Sequence, residues 1–126
     1  MTEAIIAALR ARAAGLYPDE GGTELLIGHG GILHRDDFAA FIRTGTSSSD
    51  GSTLMAWIDR DAALSALHHG HLPVSGGERH IIQLAASIAA GTLVCLRDAL
   101  PGLDNKNLKL LTTAIRHAAG HPPAHR

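Results

Sequence analysis

The chain has 126 residues, 45% of them apolar and only 3% aromatic, with a formal net charge of −1. The apolar fraction excludes disorder, the length suits one domain, and the near-zero charge leaves no global field to steer the protein to nucleic acid or an anionic membrane. A core so poor in aromatic residues must be built from Leu, Ile, Val and Ala, which favours closely packed helices over a β-sandwich.

No apolar run approaches the roughly 18 residues of a membrane span, and no secretory leader is visible. The expectation is a cytoplasmic protein with no membrane partner. The single Cys95 has no internal disulfide partner. Its apolar setting, TLVCL, predicts packing as a small hydrophobe.

Residues 2–14 read as a first helix, with Ile5, Ala8 and Leu9 on one face. Glu3 lies in the first turn and Arg10 and Arg12 in the last, as the helix dipole prefers. Gly15 ends it and Pro18 blocks a restart. In residues 19–34, TELLI and ILH flank Gly28-His29-Gly30-Gly31. That pattern suggests two short strands around a Gly-rich turn, although glycines mark irregular loops equally well. The HGG run resembles the oxyanion loop of some hydrolases. That chemistry needs a G-x-S-x-G nucleophile elbow, and the chain has none.

Asp36 and Asp37 open a second helix that buries Phe38, Phe41 and Ile42, carries Arg43 at its end and stops at Gly45. Leu33 is placed to staple onto Phe38. Residues 46–52, TSSSDGS, form a flexible loop. Residues 53–58 read as a further strand, with Trp57 the largest contributor to the core. Asp59 fits the N-cap of a third helix, which buries Ala63, Leu64 and Leu67 and ends at His68-His69-Gly70.

Residues 74–91, VSGGERHIIQLAASIAAG, form the stretch around which the rest is organised. Ser75 and Glu78 have the spacing of a capping box, and Gly91 fits the left-handed closing position. Ile81, Leu84, Ala85 and Ile88 share one face, and Ile82, Ala86 and Ala89 spread the apolar surface around it. Such a helix belongs at the centre of a fold or, in part, in a homodimer contact. Residues 93–100 make a strand or a short helix, broken by Pro101-Gly102. Asp104 caps a last helix, residues 105–119, whose inward stripe is Leu108, Leu111, Thr112 and Ile115, with Leu103 stapled to Leu108. The expected fold is mainly α, about five helices, with a small antiparallel β element from residues 23–34 and 53–58. Residues 1–120 form the domain and residues 121–126 a frayed tail.

Three groups of residues carry candidate chemistry. Ser75-Gly76-Gly77-Glu78-Arg79, the apolar residues 93–96, Asp98 and Gly102-Leu103-Asp104 follow an order that resembles ABC-type ATPases: signature loop, apolar strand ending in Asp, Leu-Asp loop. The resemblance implies nucleotide or anion binding through Ser75, Gly76, Gly77 and Arg79. However, Ala99 stands where the catalytic Glu belongs, Pro101 disturbs the last loop, and no G-x-x-x-x-G-K-[ST] occurs. Two capped helices explain the same residues without ATP, so no cofactor is expected, and a free helix N-terminus beside Arg79 remains an anion candidate. His68 and His71 are a candidate metal pair. Their spacing crosses a helix end, though, and no Cys or carboxylate completes the set. Asn105, Lys106, Lys109, Thr113 and Arg116 lie on one face of the last helix and are residue types that contact bases and phosphates.

Residues 53–119 also resemble a group of short actinobacterial proteins, which implies a self-contained small domain and carries no function to transfer. With no paired catalytic groups, the expected function is a non-enzymatic cytoplasmic interaction or regulatory module whose partner is another protein or a second copy of itself. The alternatives are a DNA-associated regulator using the helix at 104–119, and a degenerate nucleotide- or anion-binding protein using Ser75 to Arg79.

Overall fold

The computed structural model describes residues 3–47, 49 and 51–124. Thr2 of the expected first helix, Ser48 and Asp50 of the expected loop, and the last two residues of the expected tail lie outside them. Among the described residues the fold is mainly α, with one two-stranded antiparallel sheet. No described helix is long and apolar enough to cross a membrane.

Helix α1 (Glu3–Ala13) ends at Gly15, whose φ of +98° only glycine adopts without strain. Helix α2 (Tyr17–His29) follows at once, because Pro18 falls in its first turn, where a missing N–H costs nothing. The two strands expected in residues 19–34 do not form. Thr23-Glu24-Leu25-Leu26-Ile27 is the middle of α2, and Ile32–His34 is a single 3-10 turn.

The reason lies in the glycines. A Cβ on Gly21 would stand 2.8 Å from the Ala114 carbonyl oxygen, one on Gly22 2.7 Å from that of Ala85, and one on Gly28 2.7 Å from Leu110 Cδ2. Gly21 and Gly22 are contact points at which α2 meets two other helices backbone to backbone, and Gly28 is where it meets the Leu110 side chain. The start of α2 meets the ends of both partners and its end meets the beginning of one. It therefore lies between them and runs antiparallel to them.

Helix α3 (Asp36–Ala39) is one turn long, not the expected run to Arg43. The chain then enters β1 (Ile42–Thr46), which pairs with β2 (Leu54–Ile58) in the register Ile42↔Ile58 to Thr46↔Leu54. The strand at 54–58 was expected; its partner at 42–46 was not. Ile42, Thr44 and Thr46 are β-branched at period two, a strand signal that the acidic start at Asp36-Asp37 masked. Leu33 and Phe38 are both buried, as a staple requires, and Phe38 meets Phe41 edge to face at 6.1 Å. Trp57 is not the core residue expected. It is 37% exposed, on the face of β2 opposite buried Ala56 and Ile58.

Helix α4 (Arg60–His68) is capped by Asp59, whose Oδ1 accepts from Ala62 N at 3.1 Å. Helix α5 (Gly76–Ala90) has the full capping box: Glu78 N donates to Ser75 Oγ (3.1 Å) and Ser75 N to Glu78 Oε1 (3.0 Å). Gly91 closes it at φ +75°. Helix α6 (Leu96–Ala99) is one turn, and Cys95 before it is exposed instead of packed.

Helix α7 (Asn105–Ala118) is capped by Asp104. Its inward stripe is Asn107, Leu111, Ala114 and His117, so the expected set was rotated: Leu108, Thr112 and Ile115 face out. Close approach to Gly21 selects small Ala114 for the contact, and the larger Leu108 and Ile115 turn away. The core gathers Leu25 and Leu26 of α2, Ile32, Phe38, Leu67, and Ile81, Leu84 and Ala85 of α5.

Candidate functional site

Two stretches that read as separate sites in the sequence meet in space. The first turns of α5 and α7 lie side by side, and a Cβ on Gly77 would stand 3.7 Å from Asn107 Nδ2. The end of α2 closes the junction, with Lys106 Nζ donating to the His29 carbonyl at 3.3 Å. Ser75 and Glu78 are consumed in the capping box, Asp104 by its helix, and Arg79 Nη2 by the Leu67 carbonyl at 3.0 Å. Arg35 forks onto Asp37 (2.9 and 2.8 Å) and stands 3.7 Å from Glu78. Positive helix starts, a negative helix end and these side chains satisfy one another. A Cβ added to Gly76 would meet nothing within 4 Å. Asn105, Lys106, Lys109 and Thr113 border an open groove along α7 with Leu110, and exposed Arg116 continues their stripe.

His29 belongs to this junction. Burial lowers its pKa from the ordinary 6.5, Lys106 adds to the lowering, and the carboxylates of Glu78 and Asp104 oppose it. Its Nδ1 accepts from Gly31 N at 3.3 Å, so that nitrogen is unprotonated in the fold. The folded pKa lies below the unfolded one, so the unfolded chain takes up the proton first as pH falls. Stability is therefore full above about pH 6.5 and declines below it. Thermal melts of the wild type and His29→Asn across this range should converge in acid, and parallel curves would remove His29 as a contributor.

At the end of α4, His69 is in ring contact with both His68 (5.2 Å) and His71 (5.9 Å), and its Nδ1 lies 2.9 Å from the Ser65 carbonyl. Among the described residues no three His, Cys, Asp or Glu side chains converge as metal ligands do. His80 packs under Gly102, where a Cβ would stand 3.1 Å from its Nδ1, and that buried nitrogen has no partner. His117, beyond the expected sites, is sealed between α7 and α2 with its Nε2 2.8 Å from Glu20 Oε1. Of the expected tail, His121 N donates to the Arg116 carbonyl, and Pro123 borders a cleft shared with Arg10, Glu24 and His117.

A charged group with unmet chemistry lies elsewhere. A cleft of about 100 Å³ between the end of α1, the start of α2 and strand β2 is lined by Leu9, Arg12, Ala13, Asp19, Thr23, Ala56, Trp57, Ile58 and Arg60. Arg12 is explained by its surroundings: it sits in the last turn of α1, and its guanidinium lies 5.5 Å from the centre of the Trp57 ring, a cation–π distance. Arg60 is not. It occupies the first position of α4, where the helix dipole disfavours a cation. It also borders a small apolar cavity together with Leu26, Phe38 and Ile82. Burial lowers its pKa; Asp19 opposes the lowering and Arg12 adds to it. Among the described residues its guanidinium makes no ion pair and no hydrogen bond. By contrast Arg10, Arg35 and Arg43 are all ion-paired.

None of this cleft was singled out in the sequence, yet one signal was there. Arg60, between Asp59 and Asp61, is the one basic residue at the first position of a described α-helix. The residues that line the cleft with Arg60 come from three other elements, α1, α2 and β2, and no local pattern joins them. No known protein family matches the chain, and no curated protein or solved structure is similar to it.

Proposed function

We propose that the protein is a non-enzymatic, cytoplasmic binding module whose cleft between α1, α2 and β2 receives an anionic group. The observation that carries this reading is the half-buried Arg60 guanidinium, held beside Arg12 with no acceptor of its own. A buried cation without an acceptor is costly, and an arginine fork is shaped for a carboxylate or phosphate. With Arg12, Arg60 and Asp19 the cleft carries one net positive charge, which suits a monoanion. Its volume is well under the roughly 300–1,000 Å³ of a cofactor or drug-sized site, so the bound group has few atoms. Nothing in the cleft acts as a nucleophile beside a base, which supports binding over catalysis. The exposed free thiol of Cys95 suits a reducing compartment.

The test compares melting temperatures in acetate, propionate and phosphate with those in chloride at matched ionic strength. Carboxylates should stabilise the wild type by mass action. Arg60→Met keeps the apolar stem, so this variant should melt no lower than the wild type without ligand and should lose the carboxylate response. A wild type indifferent to all three anions would remove the reading.

Self-association is a second reading, favoured by Leu108 and Ile115, which are 45% and 51% exposed on the outer side of α7. It requires a sedimentation mass that rises with concentration and falls back in Leu108→Gln. A monomer at high concentration removes it.

A further inference from the structure

We infer that the cleft's ligand is a small α-amino acid, its carboxylate held by Arg60 and Arg12, its ammonium by Asp19, and its side chain against Ala13, Ala56 and Ile58. This rests on the anion reading of the same cleft and adds the second half of the ligand. Asp19 lies in the first turn of α2 and lines the cleft. Its carboxylate, like the guanidinium of Arg60, has no hydrogen bond or ion pair within reach among the described residues. A cation and an anion that both face one small cleft without bonding each other leave a complementary pair of vacancies. A zwitterion fills both at once, and a plain carboxylate fills only one.

The rest of the lining agrees. Thr23 is buried and lines the same wall, adding a hydroxyl that accepts from an ammonium or donates to a carboxylate. Leu9, Ala13, Ala56 and Ile58 supply an apolar remainder with no further donor or acceptor side chain. The small volume admits a side chain of a few atoms and excludes a peptide or nucleotide. Local pairing points the same way: the ammonium of a zwitterion pairs with Asp19, whereas a phosphate dianion would sit beside an uncompensated Asp19.

Trp57, the sole tryptophan, lines the cleft and reports occupancy by its fluorescence. Titration of the full chain with L-alanine and with propionate, which differ only by the amine, separates the two halves of the site. L-alanine should bind with a Kd about tenfold lower than propionate, the gain of one added charge-assisted contact. Asp19→Asn should erase that difference and leave propionate binding in place, and Arg60→Met should abolish both. Propionate binding as tightly as L-alanine to the wild type overturns the amino-acid inference and leaves the anion reading standing. Failure of both ligands to bind overturns the two together. The wild-type comparison decides the matter even if a variant fails to fold.

Discussion

Replacing Gly22 by alanine should cost the protein about 2 kcal/mol, although alanine is the better helix former by ~1 kcal/mol. The added methyl would stand 2.7 Å from the Ala85 carbonyl oxygen and 2.7 Å from Ala89 Cβ. The first neighbour is backbone inside α5, so nothing rotates out of the way and the helices must separate. Overfilling a tight contact costs typically 1–3 kcal/mol. Here the rigid neighbour places it at or above the upper end, and the helix gain offsets only part. At about 4 °C per kcal/mol for a chain of this size, the melting temperature should fall by about 8 °C. Gly76→Ala is the internal control. That glycine is also helical but meets nothing within 4 Å, so its alanine should be neutral or stabilising. Chemical denaturation of both variants checks the pair. Equal gains at positions 22 and 76 would show that α2 is not held by close approach.

This contrast also explains what could be read from the sequence and what could not. Helix starts and stops were legible because they are local: Ser75 with Glu78, Asp59, Asp104, Gly15 and Gly91 each satisfy backbone groups within one turn. The mainly α fold followed from them. Gly21, Gly22 and Gly28 were not legible, because a glycine that breaks a helix and one that admits a neighbouring helix look the same in one dimension. Only the positions of Ala85, Ala114 and Leu110 decide between them. A local signal displaced the sheet. The β-branched Ile42, Thr44 and Thr46 of β1 lie just behind the acidic start at Asp36-Asp37, which reads as a longer helix than the single turn of α3.

The rotation of α7 has a related cause. Periodicity finds the most hydrophobic stripe, and Leu108 and Ile115 belong to it. Packing against a glycine helix instead selects a stripe that fits, with Asn107, Ala114 and His117 inside. For the site, the residues read as functional in 75–79 and 105–106 proved to be neighbours, and their charges are spent on nearby structure: Glu78 on Ser75 N, Arg79 on the Leu67 carbonyl and Lys106 on the His29 carbonyl. The arginine cleft was out of reach because it is assembled from α1, α2, β2 and α4. What sequence does offer is the exception to its own rule, a cation at the first position of α4.

His117 offers the second large effect. His117→Leu should destabilise the protein by about 3 kcal/mol, through the group it leaves behind more than through the volume it removes. The imidazole is 1% exposed, lies edge-on to Tyr17 at 6.2 Å, and bonds Glu20 Oε1 at 2.8 Å. Glu20 also accepts from Gly15 N through Oε2 at 2.9 Å, so one carboxylate joins the turn between α1 and α2 to the far end of α7. Leucine fills the space but takes the imidazole away from a Glu20 side chain that is only 15% exposed, and removing one partner of a buried polar pair costs about 3–5 kcal/mol. The Gly15 bond and the partial exposure of Glu20 hold the loss to the lower figure. Glu20→Gln should lose less, since its amide can still bond a neutral imidazole. Adding Glu20→Gln to His117→Leu should restore part of the stability, because an amide is cheaper than a carboxylate to keep buried beside leucine. The double-mutant cycle therefore gives a coupling of opposite sign to two independent losses. Additive losses would mean that His117 acts as a packing residue alone, with no energetic link to Glu20 across the chain.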